Sequence, residues 1–221
     1  MGKRPIWARI IHLIDELCSM GKDLRTKCAL FLDRDGVINM DTGYPHRIED
    51  IVFIDGIFEF CRRAAALDLA LIIATNQAGI ARGYYAETDF LSLMEWMKGR
   101  FAEEGIEFLD VYHCPYHPQG IGQYCRVSDE RKPAPGMLLR AMRDHALDLA
   151  RSFLIGDRDS DIAAGKSVGL AGNILFAPGY RNSESQRVDS DADAVVATLS
   201  EAAVWLENRV RPTSRKLDRF E

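Results

Sequence analysis

The stretch Cys28–Asp41, CALFLDRDGVINMD, decides how the rest of the chain is read. Cys28 to Leu32 is a short apolar run, the pattern of a strand buried on both faces of a sheet. It ends in Asp33-Arg34-Asp35-Gly36, two carboxylates one residue apart followed by a glycine. Ligands of open α/β sheets sit beyond the carboxyl ends of strands, so an acidic pair there marks a candidate site. In extended backbone both carboxylates would point to one face, and their repulsion would call for a counter-charge. Oxygen donors at a strand end suit Mg²⁺ in that role. A solvated acidic turn is the alternative that this segment alone leaves open.

Further apolar runs follow at Leu69–Ala74, Leu109–His113, Ser152–Gly156 and Gly172–Phe176, with a short one at Ala194–Ala197. Helical spacing fills the intervals at Gly56–Leu67, Glu87–Phe101, Pro135–His145 and Ser200–Val210. This alternation predicts an α/β fold, a doubly wound, mostly parallel sheet covered on both faces. A chain of 221 residues can bury one good core, and a single domain is expected. Residues 37–53 are turn-rich, and no sizeable insertion separates the acidic and basic motifs, so no large cap domain is expected. Residues 1–27 are expected to be an N-terminal helical extension. Its Pro5–Cys18 segment carries Ile6, Trp7, Ile10, Ile11, Ile14 and Leu17 at helical spacing. That stripe suits packing on its own domain or a dimer contact. The domain is expected to run from 28 to 211, with 212–221 as a charged tail.

The balance of 28 basic against 33 acidic side chains does not favour nucleic acid as a partner, though a local basic pocket remains compatible with it. Five cysteines (18, 28, 61, 114 and 125) form no disulfide framework, which fits a reducing cytoplasm. Neither a signal peptide nor an apolar run of transmembrane length is evident. The expected partner is therefore a small molecule, with no membrane and with a monomer or weak dimer as the working state.

Several polar residues sit where strands end. Thr75-Asn76-Gln77 follows Leu69–Ala74; a hydroxyl there can bond a phosphoryl oxygen or simply cap a turn. Arg82, in AGIARG, can contact an anion. Lys132, after Arg131, is a compact charge suited to a phosphate beside a carboxylate, although both could be solvated surface charges. Asp157, Asp159 and Asp161 follow Ser152–Gly156, and acids at a helix start also favour its dipole. Cys114, His117, Cys125 and Glu130 offer metal donors, but their spacing follows no common zinc pattern.

In order, FLDRDGVIN (31–39), DTGY (41–44), TNQAGIARG (75–83), CPYHPQG (114–120), RKPAPGM (131–137) and GDRDSD (156–161) resemble the haloacid dehalogenase-like (HAD) phosphatases. The heptose 1,7-bisphosphate phosphatase and histidinol-phosphatase subgroup is the nearest. The resemblance implies a Rossmann-like HAD core, a small flap near the metal over the turn-rich residues 37–53, and a Mg²⁺-dependent phosphomonoester hydrolase acting on a small sugar phosphate. It makes Asp33 the nucleophile, Asp35 the general acid/base, and Thr75 and Lys132 the groups that stabilise the phosphoryl. Asp33, the Asp35 backbone carbonyl and Asp157 would bind Mg²⁺, with Asp161 supporting. Asp41, Thr42, Gly43, Tyr44, Asn76, Gln77, Ala78, Arg82, Arg131 and Arg158 would face the substrate. His46 is assigned no chemistry. Many relatives carry zinc as CxH followed by CxC; here Tyr116, Ser128 and Glu130 occupy ligand positions, so zinc is not expected and the loop should be held by packing. The rival readings are histidinol-phosphate hydrolysis and a phosphate-binding module without turnover. A kinase is disfavoured by the lack of GxxxxGK[ST].

Overall fold

The structure, a computed structural model, describes residues 26–179 and 190–210. The Pro5–Cys18 segment and the tail lie outside these residues. Six strands form one parallel sheet: β1 (Cys28–Leu32), β2 (Leu69–Asn76), β3 (Phe108–Cys114), β4 (Phe153–Gly156), β5 (Gly172–Phe176) and β6 (Ala194–Val196). Their order across the sheet is β3-β2-β1-β4-β5-β6. The chain winds outward from β1 to β3, then returns to lay β4 on the other side of β1. The switch point between β1 and β4 is where a doubly wound sheet opens a crevice at its carboxyl edge.

Alternation along each strand divides the core in two. Leu30, Leu32, Leu71, Ile73, Phe153, Ile155, Ile174 and Phe176 face one side. They meet Phe60 and Ala64 of α1 (Ile57–Ala66), Phe90, Met94 and Phe101 of α3 (Glu87–Glu103), and Ala202 and Leu206 of α6 (Leu199–Arg209). Ala29, Phe31, Ile72, Leu154 and Leu175 face the other, against Met137 and Ala141 of α4 (Gly136–His145) and Ile162 of α5 (Asp159–Ser167). Each fully buried Leu, Ile or Phe contributes about 1.5–3 kcal/mol, so burial on two faces explains near-continuous apolar strands.

Within the described residues the expected strands and helices are present, with shifted ends. β2 continues through Thr75 and Asn76, which pair with His113 and Cys114 of β3. A further short helix, α2 (Ala78–Ala81), follows at once. Between β1 and α1 the chain forms the flap, where Met40 N–H donates to Val52 O at 2.8 Å and Ile54 N–H to Ile38 O at 3.0 Å. No cap domain is evident among the described residues.

At the far edge, Asp193 ties β6 to its neighbours. It accepts from Lys166 Nζ at 2.6 Å and from Asn173 N–H at 2.8 Å. Burial would raise this carboxyl, but Lys166 and the Asn173 N–H groups outweigh it and hold it below the usual carboxylate range. A depressed folded value means that the stabilisation is complete above the unfolded value of about 3.9 and fades as pH falls through the folded one. Asp193→Asn is expected to lower stability at pH 7 by roughly 1 kcal/mol. Urea midpoints of variant and parent should converge as pH falls through the folded value. A gap that stays constant with pH would refute the charged pairing.

Candidate active site

Asp33 is the first residue beyond β1, and its N–H donates to Ile155 O of β4 at 3.0 Å. The backbone of the switch point thus sets the carboxylate directly over the crevice. Asp157 is the matching first residue beyond β4, and Asp161 lies in the first turn of α5. Gly156 makes this approach possible, since a Cβ there would collide with the Asp161 side chain. One carboxylate oxygen from each of Asp33, Asp157 and Asp161 lies within 4.8 Å of the others, and all three residues are buried.

Lys132 is the buried cation of this cluster. Its Nζ is 3.0 Å from Asp33 Oδ1 and 2.5 Å from Asp161 Oδ1, and it donates to Ala74 O at 2.6 Å. Burial disfavours the ammonium, yet the charges of Asp161 and Asp33 more than compensate and hold its pKa above the ordinary lysine value. Burial also raises the Asp33 carboxyl, with Asp161 adding to the effect and Lys132 opposing it. Three carboxylates around one ammonium leave an excess negative charge in a low-dielectric site. Hard oxygen donors with that excess fit a divalent cation of the Mg²⁺ type. Asp161 also caps α5, since its Oδ2 accepts the N–H of Arg158 at 3.0 Å.

Asp35 projects from the turn after Asp33. Arg34, fully buried between the two acids, holds it through Nε to Oδ1 at 2.9 Å and Nη2 to Oδ2 at 2.7 Å. The same Nη2 donates to Pro45 O in the flap at 2.8 Å. Asn39 Nδ2 adds a bond to Oδ1 at 3.0 Å and Gln77 Nε2 one to Oδ2 at 3.1 Å.

A cleft of about 610 Å³ opens above these groups. Among the residues expected at the site, Asp33, Asp35, Asp41, Gly43, Tyr44, Asn76, Gln77, Ala78, Arg82, Arg131, Lys132, Arg158 and Asp161 line it. Thr42 is exposed away from the wall, while Thr75 and Asp157 are buried behind it. Thr75, expected to touch a phosphoryl group, has its Oγ1 accepting from Gln77 Nε2 at 2.9 Å, which leaves its O–H able to donate. Asn76 spends both ends of its amide on the Lys132 backbone, at 3.0 Å each. Asn76 and Gln77, expected to contact substrate, line the cleft and also brace Lys132 and Asp35; the buried Gln77 amide in particular must find internal partners.

Arg82, Arg131 and Arg158 all line the cleft, close enough for their charges to act on one another. Burial above all, with the charges of Arg82 and Arg158, lowers the Arg131 pKa. Arg158 Nη2 donates to Asp41 Oδ2 at 3.0 Å, latching the flap to the start of α5, and Arg82 bonds the Tyr44 hydroxyl. Tyr85, His117, Pro133 and Ser160 also line the cleft, although the sequence alone does not place them there. His117 carries a signal, the CPYH motif, but one that reads only as a metal donor.

In the Cys/His loop the candidate donors meet nearby backbone groups. Cys114 Sγ donates to Tyr116 O at 3.9 Å, Cys125 Sγ to Pro118 O at 3.4 Å, and His117 Nδ1 accepts from Gln119 N–H at 3.0 Å. These atoms turn to their own backbone, and Asp33, Asp157 and Asp161 form the one metal-ligand group found among the described residues. Packing alone does not hold the loop, contrary to expectation. Tyr124 donates to Glu87 Oε2 at 2.9 Å, Glu87 Oε1 lies 2.7 Å from His113 Nε2, and Arg126 stacks 3.6 Å over Tyr116. A half-buried seam must satisfy its hydroxyl and charged groups, and these directed contacts do so.

Known proteins share this arrangement. The HAD-hydrolase-like family profile matches residues 130–202. The chain is 53% identical over 169 residues to the D-glycero-alpha-D-manno-heptose-1,7-bisphosphate 7-phosphatase of Burkholderia mallei, covering 76% of this chain and 87% of that one. It is 44% identical over 153 residues to the D-glycero-beta-D-manno-heptose-1,7-bisphosphate 7-phosphatase of Pasteurella multocida, covering 69% and 83%. The crystal structure of D,D-heptose 1,7-bisphosphate phosphatase from B. bronchiseptica, complexed with magnesium and phosphate, matches with a TM-score of 0.70 and 26% identity. That match covers 81% of this chain and 98% of the other. With the motif acids and Lys132 assembled on a HAD-like core and identity of this extent, the chain belongs to the heptose-1,7-bisphosphate 7-phosphatase family of HAD-like phosphatases.

Proposed function

We propose that the protein hydrolyses the C7 phosphate of D-glycero-D-manno-heptose 1,7-bisphosphate. The observation that carries this reading is a cleft lined by four cations. Lys132 stands beside Asp33, and Arg82, Arg131 and Arg158 also line the walls, enough positive charge for two phosphates. A sugar bisphosphate brings two such groups; histidinol phosphate has only one. In the proposed reaction an Asp33 carboxylate oxygen attacks phosphorus in line, and the bond from phosphorus to the sugar oxygen breaks. Asp35 gives its proton to that oxygen, then takes one from the water that cleaves the aspartyl-phosphate and releases inorganic phosphate. Lys132 offsets charge on the phosphoryl oxygens throughout. Asp33, Asp157 and the Asp35 backbone carbonyl would hold Mg²⁺, with Asp161 in support. When bound, the ion offsets the repulsion between these acids and an incoming phosphate. The four described cysteines are free, in keeping with a reducing cytoplasm. No described helix is long and apolar enough to cross a membrane.

The test is Mg²⁺-dependent phosphate release from both heptose 1,7-bisphosphate anomers, histidinol phosphate and fructose 1,6-bisphosphate, compared as kcat/KM. One heptose anomer should lead the other substrates by about a hundredfold, about 2.7 kcal/mol in the transition state. Both anomers are needed because the relatives are named for different ones. Equal, slow rates on every substrate would overturn the assignment.

A further inference from the structure

We propose that Gln77 and Tyr85 are positioning residues for the acid/base Asp35, forming a hydrogen-bonded brace from the flap to its carboxylate. The inference rests on the reading of Asp35 as proton donor to the leaving oxygen. Gln77 is buried, and each end of its amide is committed. Its Nε2 donates to Asp35 Oδ2 at 3.1 Å and to Thr75 Oγ1 at 2.9 Å, and its Oε1 accepts from the Tyr85 hydroxyl at 2.6 Å. The orientation is dictated chemically: only the NH₂ end can face a carboxylate, so the carbonyl end faces the phenol, which must donate. Tyr85 is suited to that duty, because burial pushes its pKa up to about 12 and keeps the proton in place.

The ring of Tyr85 is itself held from two sides. It occupies the space left by Gly79, where an added Cβ would lie 2.7 Å from Tyr85 Cζ. Its face stacks on His46 with centroids 4.9 Å apart and planes 7° from parallel. His46 belongs to the flap, and its Nδ1 lies 3.0 Å from Tyr44 O. The brace therefore runs from Tyr44 and His46 through Tyr85 and Gln77 to Asp35. Arg34 grips the carboxylate along its length, and Gln77 supplies a separate anchor on Oδ2 from β2's side of the cleft. An acid that must meet one leaving oxygen gains from such an anchor, since a displacement of about 1 Å costs up to 10²-fold in rate.

A buried amide could serve packing alone, so the test must depend on proton donation. Tyr85→Phe and Gln77→Met should be compared with the parent in single-turnover phosphoryl transfer from two donors. The sugar bisphosphate has an alkoxide leaving group that needs a proton; 4-nitrophenyl phosphate has one that does not. The expected result is about a tenfold or larger loss with the sugar substrate and less than about twofold with the aryl substrate. Equal losses on both donors, or no loss on either, would overturn the positioning role. Thermal midpoints identify a variant that fails to fold, and the other then carries the test. Asp35→Asn separates the two levels. If it too shows no leaving-group dependence, the acid assignment fails; if it alone does, only the brace fails.

Discussion

Asp33→Asn is expected to lose turnover by on the order of 10⁴-fold or more while the metal-free protein becomes no less stable. The first half follows from chemistry, because an amide oxygen cannot displace an alkoxide from phosphorus to give the acyl phosphate. The second follows from charge. Asp33, Asp157 and Asp161 crowd within 4.8 Å, and Lys132 retains its 2.5 Å contact with Asp161 when Asp33 is neutralised. Burial above all, with Asp161, holds the Asp33 carboxyl above its ordinary range. A carboxyl with a raised folded pKa binds protons more readily folded than unfolded, so its ionisation removes stability as pH rises above about 3.9. The variant lacks that loss, and its advantage over the parent in EDTA should widen from pH 4 towards neutrality. Urea midpoints across that range, with phosphate release on the same preparations, test both halves. Retained activity after re-purification would remove Asp33 as nucleophile; a marked loss of metal-free stability would remove the account of the charge.

Lys132→Met should move stability the other way. It deletes the ammonium that bridges Asp33 and Asp161 and bonds Ala74 O, and so leaves buried carboxylates without their cation. Breaking a buried pair in this manner costs about 3–5 kcal/mol. Added Mg²⁺ should recover part of the loss, since a ligand that binds only the folded state stabilises it by mass action. Turnover should fall by about 10²-fold or more even at saturating Mg²⁺, because one compact charge facing the phosphoryl group is gone. Denaturation with and without Mg²⁺, alongside kcat, gives the comparison. A metal-free Lys132→Met protein as stable as the parent would show that the acids are not held charged by this lysine. The opposite signs expected for Asp33→Asn and Lys132→Met make the pair more informative than either alone.

Much of the candidate site was legible because its residues follow strand ends directly. Asp33 and Asp157 come one residue after β1 and β4, and the short apolar runs that define those strands are read from local pattern. Lys132 and Arg131 carry little signal of their own and are recognisable through the RKPAPGM motif. Other roles were not legible. Asn76 and Gln77 read as substrate contacts from their place at a strand end, and they line the cleft. The extension of β2 to Asn76 and the start of α2 at Ala78 also turn their amides onto Lys132, Asp35 and Tyr85, which no local pattern announces. Arg34, to which the sequence assigns no role, is fully buried and grips Asp35. The loop after β3 reads as packed, and it is held by Tyr124 on Glu87 and Arg126 on Tyr116.

By itself, the sequence determined the layered fold and the positions of the chemical groups along the chain. Hydrophobic periodicity and strand-end motifs are local properties, written within a few residues of one another. Only the tertiary structure decided which of those groups meet. The approach of Asp161 to Asp33 and Asp157, the gathering of Arg82, Arg131 and Arg158, and the brace from His46 to Asp35 join residues far apart in the chain. The physical reason is that buried polar groups must find partners, and which partners are within reach depends on the pairing of β1 with β4 rather than on any local pattern.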